Sequence, residues 1–341
     1  MRRGAWLALA LLSACHLLLD SPGKNYGGVG GAGGAGGAGG AEGGGGAATG
    51  MPLGGGDCQP AFDPPSGCME IDYPAGTSTD AGGVFEPACS AISLASDPFS
   101  DAQTSLGIWL LRDDDHCDGS VALCDGTSLV ITPDSAQDFW FTGPLPEDSG
   151  TTVNERGPLL YQRACNAFAM ITAPGRDLSV PPPTGWKRTG EGVVIAHPDD
   201  ADGRTVMLGT GHHMLDASTV EYGAQFYFTA PSGTETSDLV ALVNDPLVGV
   251  CRPLSDGSFH FYKKEPGESW EDITPDHAVL SGLAEACCVN VGLTASFWPF
   301  EVDVTSLPVT PRAHFPYALF AAAPPGTPAD CIATLDAIPL P

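Results

Sequence analysis

The sequence predicts a mainly β protein, an antiparallel sandwich or barrel-like fold that is stapled by disulfides into two subdomains, with one or two short helices. Short runs rich in β-branched and aromatic residues recur along the chain, and clusters of Gly, Pro, Asp and Ser separate them. Cysteines are frequent, as in exported domains that are held together by disulfides. No internal repeat recurs at a fixed period.

The runs that fit a strand are short and rich in β-branched and aromatic residues. They are 106–111, 128–132, 138–142, 192–197, 205–208, 224–229, 238–243, 247–251, 258–263, 289–295, 300–304, 317–321 and 331–335. In 258–263, Phe259 and Phe261 fall on one face of the strand. We expect one helix with Thr274 as N-cap, Pro275 at its first position and a body over 277–287. A second helix is expected over 159–170.

The first residues have the composition of an export signal. Arg2 and Arg3 supply a short positive region, and Ala5 to Ala14 form an apolar run of ten residues. Such a run fits the core of a signal peptide and is too short to span a bilayer.

The string that closes this run, Leu12 to Cys15, has a branched apolar residue, two small residues and a cysteine. It resembles the lipobox of bacterial lipoproteins. The resemblance implies cleavage after residue 14, diacylglycerol on the Cys15 thiol and acylation of the new amino terminus. Two or more acyl chains hold a protein stably on a membrane. We therefore expect an exported protein anchored to the cell envelope, with the outer membrane or cell surface favoured over the inner membrane.

The next segment is almost wholly Gly and Ala, from Gly27 to Gly56. It has few side chains to bury, so it cannot offset the entropy of ordering. A random coil of this length spans roughly 30 Å between its ends. The expected organisation is a signal peptide at 1–14, a lipid-anchored linker at 15–56, a Cys-rich β region at 57–183 and a β domain at 184–341. The boundary between the last two falls at the prolines 181–183, which cannot join a sheet ladder.

The charge of the chain disfavours anionic partners. It carries 41 acidic residues against 14 basic ones, a formal net charge of −27, and loss of Arg2 and Arg3 with the leader would make it −29. Such a chain is not expected to bind nucleic acid or an anionic lipid surface.

Ten cysteines remain once Cys15 is set aside, and an even number in an exported chain predicts up to five disulfides. The candidates are Cys58, Cys68, Cys89, Cys117, Cys124, Cys165, Cys251, Cys287, Cys288 and Cys331. No C-x-x-C pair occurs, which argues against a zinc ribbon or a thioredoxin-like site. Adjacent Cys287 and Cys288 are expected to pair with different partners. The six cysteines up to Cys165 and the four from Cys251 suggest two separately stapled regions.

The pair His212-His213 supports two competing interpretations. An apolar strand at 205–208 leads into the pair, and Asp-Leu-Val-Ala-Leu follows at 238–242. This order resembles trypsin-like serine proteases, and the resemblance implies His213 as base and Asp238 as its orienting carboxylate. No Gly-Asp-Ser-Gly-Gly string follows, so that resemblance provides no nucleophile. The string 212–215, His-His-Met-Leu, resembles the copper ligands of copper type II monooxygenases, but a strand directs both rings to one metal only if its backbone bends. Exposed polar residues in a Gly-rich turn would look the same.

The string 196–200, Ala-His-Pro-Asp-Asp, resembles the zinc-binding motif of LmbE-like deacetylases, which implies His197 and Asp200 as zinc ligands. An acidic turn after a strand is the competing interpretation. The acidic turns 199–203 and 113–119 could instead bind Ca²⁺, although both lack the full spacing of a calcium loop.

The sequence therefore favours a non-catalytic binding or envelope-surface role, with carbohydrate or protein as ligand and no cofactor. The alternative is a secreted copper or zinc enzyme that uses His212 and His213. Convergence of the imidazoles around one site would distinguish the two.

Overall fold

A computed structural model describes residues 68–70, 94–112, 119–124, 128–133, 159–176, 186–198, 203–214, 220–230, 233–299 and 312–341. The expected strands 138–142 and 300–304, and Asp200, Cys15 and the linker, lie outside these ranges.

The described residues form mainly strands, as predicted. Those of the first half are β1 (Cys68–Glu70), β2 (Leu110–Arg112), β3 (Gly119–Cys124), β4 (Ser128–Pro133), β5 (Leu159–Ala164), β6 (Phe168–Thr172), β7 (Gly175–Arg176), β8 (Trp186–Ala196) and β9 (Thr205–Met214). Those of the second half are β10 (Val220–Ala230), β11 (Gly233–Thr236), β12 (Val240–Ala241), β13 (Leu247–Arg252), β14 (His260–Lys264), β15 (Glu271–Asp272), β16 (Val289–Pro299), β17 (Ala313–Phe315) and β18 (Ala318–Phe320).

Three short helices accompany them. These are α1 (Ala102–Leu106), α2 (Ala278–Ala284) and α3 (Cys331–Asp336), the last preceded by a 3-10 turn at Pro328–Asp330. The prediction of a helix near 277–287 is confirmed, but its N-cap is His277, whose Nδ1 accepts the Val279 amide at 3.2 Å. Thr274 is not the cap because its Oγ1 accepts the Phe261 amide at 2.8 Å and so belongs to the edge of β14.

Three expectations for local structure are wrong. Segment 159–170 forms β5 and most of β6 instead of a helix, and both faces of these strands are buried in the sandwich. Segment 331–335 is helix α3 instead of a strand. The capping residue Thr327 donates to the Asp330 carboxylate and opens this helical end of the chain. Segment 106–111 begins at the end of α1 and becomes a strand only at Leu110.

The strands form three antiparallel sheets. The large sheet has the order β11-β10-β9-β8-β16-β5-β2, with β12 also paired to β10. The first small sheet has the order β1-β3-β4-β17-β7, and the second small sheet has the order β15-β14-β13-β6-β18. Because β6 runs almost directly into β7 and β17 into β18, the two small sheets are joined along two neighbouring stretches of chain.

The main core lies between the large sheet and the two small ones. Phe226 of the large sheet meets Phe261 of the second small sheet edge-on, with ring centroids 5.2 Å apart. Phe315 and Ile131 of the first small sheet belong to the same cluster. The arrangement is a two-layer antiparallel sandwich, in agreement with the predicted class.

The outer faces of both layers are buried as well in their central parts. On the large sheet, Met207, Val194 and Tyr227 form a separate cluster on the face opposite to Leu208. On the second small sheet, α3 packs with Leu335 against Trp270 and β13.

Two disulfides join distant parts of the sandwich. Cys165 pairs with Cys288 across 123 residues of sequence, and Cys251 pairs with Cys331 across 80. Cys124 and Cys287 are also disulfide-bonded. Cys287 and Cys288 therefore have different partners, as predicted. Cys58, Cys89 and Cys117 lie outside the described residues.

The interpretation of two separately stapled regions needs correction. The Cys165–Cys288 disulfide links segment 57–183 to segment 184–341, and each of the three sheets contains strands from both segments. All described residues belong to one compact unit, 52–341. Cysteine spacing does not reveal this, because antiparallel sheets pair strands that are far apart in sequence. Among the described residues, no helix is long and apolar enough to cross a membrane.

Candidate functional site

Strand β9 places positions 212 and 213 on opposite faces of its sheet. Strand β9 is regular at this point, with Tyr222 opposite His212 and Glu221 opposite His213. Consecutive residues of a strand belong to opposite faces of its sheet. His212 follows Leu208 and Thr210 on the inner face, so position 213 belongs to the outer face. The bend that a shared copper ion would require is absent from β9.

His197 lies at the other end of the same strand pair. Its amide donates to the carbonyl of Arg204, just before β9 begins, and its side chain is buried. His212 lies seven positions after Thr205 in β9, which corresponds to roughly 23 Å along a strand. His197 and His212 therefore cannot share a metal.

The remaining predicted residues are also dispersed. Asp238 is exposed between β11 and β12. His260 lies on the outer face of the second small sheet, since Phe259 and Phe261 on either side of it enter the main core. Within the described ranges, no group of three or more His, Cys, Asp or Glu side chains could hold a metal ion. The acidic turns considered for Ca²⁺ lie largely outside those ranges.

The inner face of the large sheet carries a different arrangement around His212. The ring of Tyr222 lies against that of His212, with centroids 5.3 Å apart and planes tilted by 53°. The Tyr222 hydroxyl donates to Asp245 Oδ1 at 2.7 Å. All three side chains are half-buried, and Tyr222 packs against the rim of the main core. We call His212, Tyr222 and Asp245 the rim cluster.

A short exposed loop, residues 242–246, borders the rim cluster. Leu242 anchors it, because its side chain is buried and its amide donates to the Tyr222 carbonyl at 2.9 Å. Glu265 Oε2 accepts the amides of Val243 and Asn244, each at 3.2 Å. Val243 is 84% exposed at the tip of the loop. An aliphatic side chain and an amide side chain are thus presented to solvent beside the rim cluster, on a backbone fixed by Tyr222 and Glu265.

The surroundings of the rim cluster are acidic. Glu191 is buried on the same inner face, opposite Thr210 and two positions from His212 along the sheet. Lys263 is nearly buried, and Glu271 at 2.8 Å and Glu265 at 3.7 Å compensate its charge. The charge of Lys263 is therefore already neutralised. A polyanionic ligand would meet repulsion here, whereas a neutral polar ligand would not.

Sequence reasoning missed Tyr222 and Asp245. Both lie in segments that sequence patterns could place, a strand around 224–229 and the Asn-Asp-Pro turn that follows 238–243. Their proximity depends on the register of β9 and β10, which a single sequence does not give.

Comparisons with known proteins find similarity among solved structures alone. The sequence matches no family model and no curated protein. Among solved structures, the chain is similar to a functionally unknown protein from Saccharomyces cerevisiae, with 15% identity and a TM-score of 0.41 over 63% of this chain and 95% of that one.

It is also similar to a GH43 protein, BlXynB, from Bacillus licheniformis, with 13% identity and a TM-score of 0.43 over 70% of this chain. The similarity spans 41% of that protein's length. A putative beta-glucanase from Mycobacterium abscessus aligns with 10% identity and a TM-score of 0.36, over 74% of this chain and 98% of that one.

Proposed function

We propose that this chain is an exported, membrane-tethered binding protein whose rim cluster recognises a neutral carbohydrate. The observation that supports the proposal is the half-buried Tyr222 ring with its hydroxyl fixed by Asp245 and His212 packed beside it. An aromatic face offers an apolar, weakly negative surface to the C–H groups of a sugar ring. A few oriented polar groups at its edge then fix the sugar hydroxyls.

The arrangement is preorganised, which lowers the cost of binding. Tyr222 already has its hydroxyl bonded, and Glu265 holds the adjacent loop through two amides. Fewer side-chain and loop torsions therefore have to be frozen when a ligand arrives. The acidic surroundings disfavour polysaccharides that carry uronic acid or sulfate groups, so the proposed ligand is neutral.

The test is binding of the full-length protein to a panel of neutral and acidic oligosaccharides by calorimetry. We expect a neutral oligosaccharide to bind, and Tyr222→Ala to weaken its affinity at least tenfold, about 1.4 kcal/mol. Tyr222→Phe removes only the hydroxyl held by Asp245, and we expect a smaller loss. Tyr262→Phe is the matched control, because Tyr262 lies on the outer face of the other layer. Full affinity in Tyr222→Ala, or binding of acidic glycans alone, would refute the proposal.

The membrane tether is a separate part of the proposal and rests on the lipobox-like string that ends at Cys15. The disulfides of the sandwich support an oxidising, exported location. We expect Cys15→Ser to move the protein from the detergent phase to the aqueous phase in a phase-separation assay. Equal partitioning of the variant and the wild type would show that Cys15 carries no anchor.

A further inference from the structure

The outer face of the second small sheet brings together a serine, a histidine and a carboxylate. Ser258 Oγ lies 2.9 Å from His260 Nε2, and His260 Nδ1 lies 3.9 Å from Asp272 Oδ2. Asp272 belongs to β15, where it faces Tyr262 across the strand pair and is therefore diagonal to His260. The two ring nitrogens of His260 thus face a hydroxyl on one side and a carboxylate on the other.

The backbone around Ser258 is fixed by Gly257 and by the buried side chain of Arg252. Gly257 adopts a φ of +68°, a conformation that favours glycine, and turns the chain into β14. The buried Arg252 donates through Nε to the Gly257 carbonyl at 3.1 Å and through Nη2 to the Ala286 carbonyl at 2.6 Å. Burial lowers the pKa of Arg252 to about 10. Phe259 and Phe261 enter the main core and hold Ser258 and His260 on the opposite face.

The three groups are accessible without being freely mobile. Ser258 is half-buried, the His260 side chain is 21% exposed and that of Asp272 is 48% exposed. Asp272 is also fixed by the Thr274 amide, which donates to its Oδ1 at 2.9 Å. Burial, reinforced by the Asp272 carboxylate, raises the pKa of the neighbouring Tyr262 to about 12, so its phenol stays neutral beside Ser258, His260 and Asp272.

The Ser258 hydroxyl proton has two possible acceptors. Ser258 Oγ also lies 2.7 Å from Asp256 Oδ1, which accepts the Ser258 amide as well, at 3.0 Å. The hydroxyl has one proton, so Asp256 and His260 compete for it. With its own proton on Nδ1, facing Asp272, His260 presents the Nε2 lone pair to Ser258. In that tautomer the histidine is placed as a base for the serine.

We propose that Ser258 is the nucleophile of an acyl-transfer site for carboxylic esters, with His260 as general base and Asp272 as the positioning carboxylate. Ser258 Oγ bonds to the ester carbonyl carbon while its proton passes to His260 Nε2. The bond from that carbon to the alcohol oxygen breaks, and the alcohol leaves with the proton. Water then attacks the acyl-serine, gives one proton to His260, and the acid leaves as Ser258 regains its hydrogen.

This inference is independent of the rim cluster, whose His212 and Tyr222 belong to the other layer of the sandwich. It also differs from the protease-like assignment of His213 and Asp238, since it uses neither residue. The signal for it was present in the sequence, because alternation in 258–263 places Ser258 and His260 on one face as surely as it places Phe259 and Phe261 on the other.

The experiment is labelling of the full-length protein with a fluorophosphonate probe, followed by peptide mapping. We expect the label on Ser258. Labelling of His260→Gln should be at least tenfold slower, since a general base typically contributes on the order of 10²–10⁴-fold to the rate. Ser258→Ala should abolish labelling. Ser255→Ala is the matched control, because Ser255 is exposed in the same turn. We also expect Asp272→Asn to slow labelling severalfold.

Three results would overturn the inference. They are labelling of the native protein no faster than of heat-denatured protein, a label that maps to another residue, and a His260→Gln rate equal to that of the wild type. The mapped site in the wild type decides the question even where Ser258→Ala fails to fold.

Discussion

Asp97 connects the segment before α1 to the main core through one buried carboxylate. Its side chain is 1% exposed, and it accepts the Phe99 amide at 2.7 Å and the Trp109 indole Nε1 at 2.9 Å. Its backbone forms a two-bond bridge with Ala318 of β18. Phe99 takes a positive φ of 51° in this short turn, an unusual conformation for a side chain of its size. The carboxylate therefore holds a strained turn against the sandwich.

Removal of that carboxylate leaves two buried donors unsatisfied. We predict that Asp97→Ala lowers the free energy of unfolding by about 2–4 kcal/mol in urea denaturation. Asp238→Ala is the control, because exposed Asp238 should change stability by no more than about 0.5 kcal/mol. Equal stability of the two variants would show that Asp97 contributes little.

At the residue scale, the sequence identified His212 as a candidate but not its partners. Histidine next to histidine suggested a shared metal, whereas the alternation of a regular strand separates positions 212 and 213 onto two faces. Tyr222 and Asp245 became neighbours of His212 only through strand register and a loop contact. Local sequence carries little information about such contacts, because register is set by packing of the whole sheet.

At the element scale, runs rich in β-branched and aromatic residues were predictable as strands even where both faces are buried, and a run without β-branched residues was not. The expected segments 192–197, 205–208, 224–229 and 289–295 all fall inside long strands of the large sheet. Segment 159–170 has apolar residues on both faces, and such a run fits a buried helix as well as a buried strand. The apolar run 331–335 fits a strand as well as a helix, so helix α3 was not predicted. The Thr327–Asp330 cap is the local signal that favours the helix.

The central strands of the large sheet approach closely at glycine. A Cβ at Gly292 of β16 would overlap the Leu160 carbonyl oxygen of β5 and lie 2.8 Å from Tyr161 Cα. Backbone cannot move aside as a flexible side chain can, so a methyl group here must push two paired strands apart.

We predict that Gly292→Ala lowers the free energy of unfolding by about 1–3 kcal/mol, as expected for overpacking of a filled core. Gly175→Ala is the matched control in a strand, since a Cβ there would meet only the His314 carbonyl, at 3.8 Å. Thermal denaturation of both variants measures the difference. A Gly292→Ala protein as stable as Gly175→Ala would mean that β5 and β16 do not pack this closely.

At the scale of the whole molecule, the Cys165–Cys288 disulfide fixes the end of β5 next to the start of β16. The segment between them, which spans a sequence separation of 123, contains β6 to β15 and α2. A crosslink across so long a loop removes much conformational freedom from the unfolded chain. Every sheet also combines early and late strands of the chain. The fold of the described residues therefore depends on long-range strand pairing, which cysteine spacing does not reveal.

We predict that the double variant Cys165→Ala/Cys288→Ala loses about 2–5 kcal/mol of unfolding free energy. The paired change leaves no free thiol at either position, so any loss reflects the crosslink and the small change in packing. Non-reducing peptide mapping of the wild type should recover Cys165 linked to Cys288 and Cys251 linked to Cys331. A different partner for Cys165 would refute the strand arrangement around β5 and β16.

The proposal that the rim cluster is a ligand site has one most direct test. The full-length protein, labelled with ¹⁵N, would be titrated with the neutral oligosaccharide that binds most tightly in the calorimetric panel. We predict that the amide resonances of His212, Tyr222 and the 242–246 loop shift together with a single dissociation constant, the one that calorimetry gives. Shifts confined to the outer face of the second small sheet, or to residues far from Tyr222, would place the ligand elsewhere and contradict the account.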